Sequence, residues 1–375
     1  MNVLICVNKL NYAMGGVSTH ILDLCKNYSK MSSIEHVVVC CDGGEHITKL
    51  QELKKIKYIE VPFDKYGMAV SGILKSYRIM RQIIKLEKID IVHVHSQRIL
   101  PVTFLLKVLD GVPYLWTNHI DAIPQPRLFK AMCVLMRFPI ISVSQELRNM
   151  MVAKYRCKAD RVYVVNNGTD LECLTPLSDE EKTVLEARYH INRDETPYVI
   201  SLLSRIFYVK GHQFLLEAIA NIPYKNKIKV IIAGHTYPTE VKYRDNLIRF
   251  CQENDINAEF QDYSNPRDVF GVSDIFVLPS LHEGFPLVCI EALAMRCAVI
   301  RSNTPGWQEI ADYVEVVEKK NVKELENAIC RVIENDMNRK KTLKGNAMVR
   351  EYFTKERCAD ETVKIYKKII CKQMF

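Results

Sequence analysis

Short, almost uninterrupted apolar runs alternate with amphipathic stretches along nearly the whole chain, and this alternation limits the fold more than any other feature. Strands that are apolar at every position are typical of parallel sheets with both faces buried under helices. In the first half, the pattern predicts strands at residues 3–7, 36–41, 57–61, 89–94, 112–117, 139–143 and 161–165, and helices at 17–30, 69–87, 99–109, 128–136 and 145–154. The sequence therefore predicts an α/β fold built on parallel sheets.

The same rhythm restarts in the second half after a polar, charged segment. One hydrophobic core rarely serves more than about 250–300 residues, so a chain of 375 residues predicts two domains. We expect an N-terminal domain over 1–175, a linker over 176–195 with a short helix at 180–189, and a C-terminal domain over 196–354. In that domain, strands are predicted at 198–203, 228–233, 258–261, 274–278, 298–301 and 313–317, and helices at 212–221, 239–254, 287–295, 322–335 and 339–352, before a last helix at 355–372.

Composition narrows the class of protein. The formal net charge of +8 is compatible with anionic partners such as phosphates, nucleic acid or an anionic membrane face. No apolar run reaches the roughly 18 uncharged residues of a membrane span, and the first residues are typical of a strand, not of a secretion signal. The 13 cysteines are scattered without a Cys-x-x-Cys pair, which favours a reduced, cytoplasmic protein.

Two loops that follow predicted strands carry groups suited to a phosphate. Gly15 and Gly16 precede the first helix, where a glycine backbone allows close approach and the helix N-terminus favours an anion. The Gly-x-Gly-x-x-Gly fingerprint is absent, so an ordinary glycine turn remains the alternative. After the strand at 198–203, Arg205 and Lys210 are suited to holding a diphosphate, unless they are solvated surface cations.

The segment 279–292 carries the most specific pattern. Glu283 lies in a loop after a strand, and Pro286 suits the first turn of the following helix, whose free amides can face a phosphate. Glu291 falls within an apolar helix, where a carboxylate needs a partner such as the hydroxyls of a ribose; a salt bridge or partial exposure is the alternative. The residues of this segment that we expect at a site are Glu283, Gly284, Phe285, Leu287, Val288 and Glu291.

Taken together, these segments resemble glycosyltransferase family 4. Glu283 and Glu291 match its two-glutamate motif with seven residues between, residues 204–211 match its diphosphate-binding segment, and residues 143–144 and 167–170 match further landmarks in order. The resemblance covers nearly the whole chain. It implies the GT-B fold: two Rossmann-like doubly wound domains facing a central cleft, with the donor held mainly by the second domain, the acceptor by the first, and a last helix at about 355–375 packing back on the first.

The resemblance also implies roles for single residues. Arg205 and Lys210 are expected to bind the donor diphosphate, Glu291 the ribose and Glu283 the transferred sugar. His119 matches the histidine that contacts the sugar, with a satisfied loop histidine as the alternative; His95 is a weaker candidate. The expected catalytic residues are Glu283, His119, Arg205 and Lys210, and the expected nucleotide-sugar-binding residues are Gly15, Gly16, Arg205, Lys210, Glu283, Gly284, Phe285, Leu287, Val288 and Glu291.

The chemistry implied is retaining transfer from a nucleoside-diphosphate sugar, with UDP favoured over GDP. Negative charge grows on the leaving diphosphate, so fixed cations placed there lower the barrier. No Asp-x-Asp motif occurs, and we expect no metal ion and no cofactor. Residues 295–298 and 304–307 depart from the family's Gly-x-Pro and Gly-Gly turns, and residues 303–307 are the expected place of donor specificity.

The acceptor domain suggests a membrane partner. On a helix over 69–88, Ile73, Tyr77, Met80 and Ile84 form an apolar stripe beside Arg78, Arg81, Lys85 and Lys88. An interfacial helix on anionic lipid is one interpretation, and an amphipathic helix packed on a sheet is the other. Residues 128–138 add apolar bulk flanked by basic side chains.

Two other functions stay open at this point: a nucleotide-sugar 2-epimerase of the same fold, and a non-enzymatic basic module that binds membranes. Nucleic acid is disfavoured because no stacking aromatics interrupt the basic stripe. We therefore expect transfer of a hexose or N-acetylhexosamine to a saccharide acceptor, lipid-linked, in O-antigen, capsule or lipopolysaccharide biosynthesis. The expected place is the cytoplasm, peripheral on the inner face of the plasma membrane.

Overall fold

The computed structural model describes residues 1–11, 15–123, 126–262, 265–334 and 337–371. Its internal contacts divide the chain into two compact units. The first unit contains Met1–Gly168 together with the chain from Lys355 onward, and the second contains Thr169–Thr354.

The first unit is built on one parallel sheet with helices on both faces. Its strands are β1 (Asn2–Cys6), β2 (His36–Cys41), β3 (Ile56–Glu60), β4 (Ile91–Val94), β5 (Tyr114–Asn118), β6 (Ile140–Ser142) and β7 (Val162–Val164). Their order across the sheet is β3-β2-β1-β4-β5-β6-β7, so the direction of winding reverses between β1 and β4. The predicted doubly wound parallel sheet is thus present.

The helices of the first unit are α1 (Gly16–Lys30), α2 (Ile47–Gln51), α3 (Phe63–Tyr66), α4 (Val70–Leu86), α5 (Leu100–Asp110), α6 (Pro126–Met136) and α7 (Gln145–Ala153). Side chains of α4 to α7 join one core on one face of the sheet, and side chains of α1 join the core on the other face. Helices α2 and α3 were not predicted, because helices of one turn are too short to show a helical period.

The second unit repeats the architecture on a six-stranded parallel sheet. Its strands are β8 (Tyr198–Leu203), β9 (Ile228–Ala233), β10 (Ala258–Gln261), β11 (Ile275–Leu278), β12 (Ala298–Ser302) and β13 (Glu315–Val317), in the order β10-β9-β8-β11-β12-β13. Its helices are α8 (Asp179–Arg188), α9 (His212–Asn221), α10 (Val241–Glu253), α11 (Pro266–Val272), α12 (Leu287–Ala294), α13 (Val322–Glu334) and α14 (Met337–Tyr352).

The segment expected as a linker, residues 176–195, lies within the second unit. Helix α8 begins with a capping box in which Ser178 and Glu181 bond each other's backbone amides. Arg267 then ties this start to the unit, because its guanidinium donates to Glu181 at 2.8 Å and to the Thr175 carbonyl at 3.0 Å. The boundary therefore falls at Thr169, earlier than the predicted residue 175.

The last helix, α15 (Lys355–Cys371), packs in the first unit against α1. The Tyr366 hydroxyl lies 3.1 Å from the Tyr28 hydroxyl and 2.5 Å from His93 Nδ1, and all three side chains are buried. The predicted ends of two helices, at residues 335 and 372, lie outside the described residues.

The apolar stripe of α4 faces the protein. Met80 and Ile84 are buried, and Ile73 and Tyr77 pack against the same core. The lipid-facing interpretation of this stripe is therefore wrong, because an amphipathic helix that covers a sheet must turn its apolar side inward. Its basic side chains do point outward. Among the described residues, no helix is long and apolar enough to cross a bilayer.

Candidate functional site

The two loops with the most specific motifs emerge side by side in the second unit. Strand β8 pairs directly with β11, and the winding of the sheet reverses between them. The loop with Arg205 and Lys210 follows β8, and the loop with Glu283 follows β11. In open α/β sheets, ligands bind at the carboxyl ends of the strands at this point of reversal.

Glycine allows the two loops to touch. Gly211 has φ +77°, a left-handed conformation that favours glycine, and a Cβ at this position would lie closer to the Pro279 carbonyl oxygen than real Cβ atoms come. The Leu281 amide donates to the Val209 carbonyl at 2.8 Å. The turn that carries Lys210 is therefore held directly against the loop that carries Glu283.

An ion pair joins the predicted phosphate-binding cation to the predicted sugar-binding carboxylate. Lys210 Nζ lies 2.7 Å from Glu283 Oε1, and the two side chains are only 19% and 10% exposed. A buried charge is costly without a partner, so each group depends on the other in this arrangement. The pair places a positive and a negative group side by side where a ligand with both phosphate and hydroxyl groups can use them.

Arg205 stands at the start of the same turn and is half-buried. Beneath the turn, the buried imidazole of His212 lies 3.3 Å from the Ser204 hydroxyl through Nε2. Burial, reinforced by the charge of Lys210, lowers the pKa of His212 to about 3, so the ring is neutral near pH 7. The cations of this turn are therefore Arg205 and Lys210.

Helix α12 presents its amino end to the same region. Pro286 occupies the N-cap and not the predicted first turn, and it supplies no side-chain cap. Pro286 therefore gives no side-chain cap to the first amides of α12, those of Leu287 and Val288, and the N-terminal end of the helix carries partial positive charge. Leu287 is buried and Val288 half-buried.

Glu291 is half-buried on α12, and its Oε1 accepts a hydrogen bond from the Thr169 hydroxyl at 3.1 Å. Sequence reasoning did not single out Thr169, although it belongs to the matched segment 167–170. Gly284 and Phe285 are buried, and the Phe285 ring packs 5.3 Å from that of Phe353. The carboxylate of Glu291 thus has a hydroxyl partner within the second unit, and its contact with a ribose stays a prediction.

The remaining predicted residues belong to the first unit. Gly15 has φ +61° and is the N-cap of α1, and Gly16 is the first residue of that helix. Residues 12–14 lie outside the described residues, so the loop before Gly15 is described only in part. His119 follows β5 and is half-buried.

His119 is part of a histidine cluster at the carboxyl ends of β4 and β5. Its Nε2 lies 2.9 Å from Nδ1 of His95, and its ring centroid is 5.1 Å from that of His20 on α1. Burial lowers the pKa of His20 to about 4 and holds the pKa values of His95 and His119 well below their usual range. These three rings are therefore neutral near pH 7.

The cluster is also the group among the described residues best suited to hold a metal ion. One nitrogen from each of His20, His95 and His119 lies within 4.8 Å of the other two, and three neutral imidazoles are a donor set for zinc-like cations. No metal was predicted from the sequence, and His20 was not among the predicted site residues. Its only signal in the sequence is its position just over one helical turn after Gly16.

Comparison with known proteins addresses the family directly. The profile of "Glycosyltransferase Family 4" matches residues 14–173, and that of "Glycosyl transferases group 1" matches residues 185–349. Together they account for most of the chain, one profile in each half.

Relatives and solved structures agree with these profiles. The chain is 24% identical over 297 residues to the Escherichia coli UDP-Gal:alpha-D-GlcNAc-diphosphoundecaprenol alpha-1,3-galactosyltransferase, covering 72% of this chain and 71% of that protein. A glycosyltransferase from Rickettsia africae superposes with a TM-score of 0.87 at 20% identity, over 98% of both chains. Anabaena HepE in complex with UDP and glucose superposes with a TM-score of 0.81 at 18% identity, over 98% of this chain and 100% of HepE.

The family predicted from the ordered motifs is thereby confirmed, and so is the predicted fold class. Each half of the chain carries the profile and the parallel sheet that the motifs implied. The chain belongs to glycosyltransferase family 4, and its two units have the GT-B fold.

Proposed function

We propose that this chain is a retaining glycosyltransferase that moves a hexose or N-acetylhexosamine from a UDP-sugar onto a lipid-linked saccharide. The process would be assembly of a cell-surface polysaccharide (O-antigen, capsule or lipopolysaccharide) in the cytoplasm, next to the membrane. The observation that carries the proposal is the Lys210–Glu283 ion pair, 2.7 Å long, at the reversal point of the second sheet.

The ion pair gives the donor two groups to use. The diphosphate of the donor competes with Glu283 for Lys210, since phosphate oxygens accept strong charge-assisted hydrogen bonds. Glu283, once released, accepts hydrogen bonds from hydroxyls of the transferred sugar. Glu291, which already accepts from a threonine hydroxyl, accepts from the ribose in the same way. The donor is thus held at both ends of its diphosphate.

The same groups favour departure of the nucleotide. When the bond from the anomeric carbon to the phosphate oxygen breaks, negative charge grows on the diphosphate. Arg205, Lys210 and the amino end of α12 supply positive charge that needs no rearrangement at that moment. No metal ion or other cofactor is required in this proposal. The acceptor hydroxyl attacks the anomeric carbon from the side of the leaving group and passes its proton to a phosphate oxygen. Because attack and departure take place on the same side, the anomeric configuration is retained.

Uridine and a lipid-linked acceptor are supported by the similar proteins. HepE was crystallised with UDP, and the name of the Escherichia coli relative gives a UDP-sugar donor and a diphosphoundecaprenol-linked acceptor. We assign the acceptor to the first unit, where His119 is proposed to contact the reacting sugar.

Contact with anionic lipid is proposed for the helices of the first unit, through side chains other than the buried stripe of α4. Val70 and Leu86 on α4 and Leu135 on α6 are 75%, 80% and 79% exposed. Basic side chains of α4, among them Arg78 and Lys85, are exposed nearby in sequence. Exposed apolar and basic side chains together are what an anionic membrane surface binds.

Titration calorimetry with UDP and GDP tests the donor site. We expect UDP to bind, and Lys210→Met to weaken it about 10- to 100-fold, because a hydrogen bond to a charged group contributes about 1.5–3 kcal/mol. Glu291→Gln should weaken UDP about tenfold by the same reasoning.

Lys229→Met is the matched control. Lys229 pairs with Glu259 at 3.2 Å, and the side chains are 6% and 14% exposed, so this ion pair of the second unit is buried like the one at the proposed site. Its loss should lower stability without changing UDP affinity. Equal UDP affinity in the wild type and in Lys210→Met would refute the donor site.

The reaction itself is tested with the donor identified by binding. Proton NMR of the product should show the anomeric configuration of the donor sugar in the new linkage. An inverted product would refute retention. Conversion of a UDP-N-acetylhexosamine without any acceptor would instead identify a 2-epimerase.

A further inference from the structure

Arg301 is a fully buried arginine in the second unit whose role is not explained by the family motifs. It lies in β12 and is 0% exposed. No ion pair among the described residues includes it, and its hydrogen bonds go to uncharged oxygens. A buried guanidinium is costly unless its donors are used for something specific.

Two of the three guanidinium nitrogens of Arg301, Nε and one terminal nitrogen, donate to one short backbone segment, whereas the other terminal nitrogen is buried without a hydrogen-bond partner among the described residues. Nε donates to the Ser302 carbonyl at 3.1 Å, and one terminal nitrogen donates to the carbonyls of Thr304 at 2.7 Å and Pro305 at 3.1 Å. The same nitrogen donates to the Thr304 hydroxyl at 3.1 Å. A planar guanidinium that binds several carbonyls fixes their relative positions in a way that a lysine ammonium cannot.

This segment lies directly against the loop proposed to hold the donor sugar. The Ser302 hydroxyl donates to the Ser280 carbonyl at 2.5 Å. Gly306 has φ +84°, and a Cβ there would lie 3.0 Å from Phe285 Cα and 3.1 Å from the Gly284 carbonyl oxygen. Segment 302–306 therefore supports both ends of the 280–285 loop.

We propose that Arg301 is a positioning residue of the donor site, which sets how the sugar of the donor is held. The inference rests on the proposed function. Arg301 acts on segment 302–306, and this segment fixes the Gly284–Phe285 backbone next to Glu283. The diphosphate is bound elsewhere, by Arg205 and Lys210. Loss of Arg301 therefore weakens recognition of the sugar more than recognition of UDP.

The experiment compares UDP with UDP-glucose, UDP-galactose and UDP-N-acetylglucosamine. For each protein, the ratio of the Kd for UDP to the Kd for the UDP-sugar best bound by the wild type measures the contribution of the sugar. In Arg301→Lys, which keeps the charge but not the planar fork, we expect this ratio to fall about tenfold while the Kd for UDP changes less than about threefold. Arg301→Met should behave like Arg301→Lys.

Arg193 provides the matched control, because its guanidinium also binds backbone carbonyls in the second unit, those of Pro197 and Val272. These residues lie near the amino ends of the strands. Arg193→Lys should lower the melting temperature and leave the ratio unchanged.

Two results would overturn the proposal: an unchanged ratio in Arg301→Lys, whether or not Arg301→Met lowers it, or a loss of UDP affinity as large as that of the UDP-sugar. If Arg301→Lys does not fold, Gly306→Ala perturbs the same segment from its other end and should give the same loss of sugar recognition. Lys210→Met separates the two proposals, since it tests UDP binding without touching segment 302–306.

Discussion

Replacing Gly211 by alanine tests whether the turn that carries Lys210 is held in place by its contact with the neighbouring loop. Gly211 has φ +77° and lies against the Pro279 carbonyl. The matched control is Gly111→Ala, because Gly111 has φ +69° but no atom within 4 Å of its added Cβ. The two substitutions share the backbone strain, and only the one at 211 adds a clash.

The expected losses of unfolding free energy follow from the backbone strain and from the clash. A left-handed conformation costs an alanine roughly 1–2 kcal/mol, partly offset by about 0.4–1 kcal/mol from the stiffer unfolded chain. Overpacking against a buried backbone adds about 1–3 kcal/mol. We therefore expect Gly111→Ala to lower the free energy of unfolding by about 1 kcal/mol, and Gly211→Ala by about 3 kcal/mol.

Urea unfolding followed by tryptophan fluorescence measures each unit separately. The chain has two tryptophans, Trp116 in the first unit and Trp307 in the second. Gly211→Ala is measured in a Trp116→Phe background and Gly111→Ala in a Trp307→Phe background, each against its own parent. UDP affinity is measured on the same proteins, and only Gly211→Ala should weaken it, by about tenfold, because the clash moves the turn with Arg205 and Lys210.

Equal destabilisation by the two substitutions would refute the reasoning, since it would mean that the contact with Pro279 costs nothing. A large destabilisation by Gly211→Ala with unchanged UDP affinity would show that the position of the turn does not control the cations.

Four further predictions follow from the same structure. The first unit should lose stability as the pH falls from about 6.5 towards 4, because burial lowers the pKa of His20 to about 4 and of His93 to about 3. The unfolded chain binds more protons than the folded one in this window, so the free energy of unfolding falls by up to about 1.4 kcal/mol per pH unit for each histidine. Equal urea midpoints at pH 7 and pH 5 would contradict this. Tyr366→Phe removes the hydroxyl shared by Tyr28 and His93, and should cost the first unit about 1–3 kcal/mol in urea unfolding while leaving the second unchanged. EDTA should change the transfer rate by less than about twofold, because the proposed positive charges belong to the protein; a loss restored by Mg²⁺ or Mn²⁺ would show that a metal is needed. In flotation assays the protein should bind anionic but not neutral liposomes, and replacing Arg78 and Lys85 by glutamine should weaken binding by about 1 kcal/mol each; equal binding to both liposome types would exclude the electrostatic contact.

Local patterns in the sequence were enough to predict both sheets and the segments at the proposed donor site. A buried parallel strand is an apolar run wherever it lies, so β1 and β8 were both predicted to within two residues at each end. The motifs around Arg205, Glu283 and Glu291 are short, and each follows or lies next to a predicted strand. Short elements such as α2, and the place of residues 176–195 in the second unit, had no such local signal.

The partner of each buried polar group was decided only by the tertiary structure. Lys210 and Glu283 are 73 residues apart, Thr169 and Glu291 are 122 apart, and Tyr28 and Tyr366 are 338 apart. The order of strands in a sheet determines which loops emerge together, and no local pattern records that order. For the same reason the sequence showed the two faces of α4 but not which of them packs on the sheet. It also showed Arg301 near the end of β12, but not that its guanidinium bonds to the backbone segment beside the neighbouring loop.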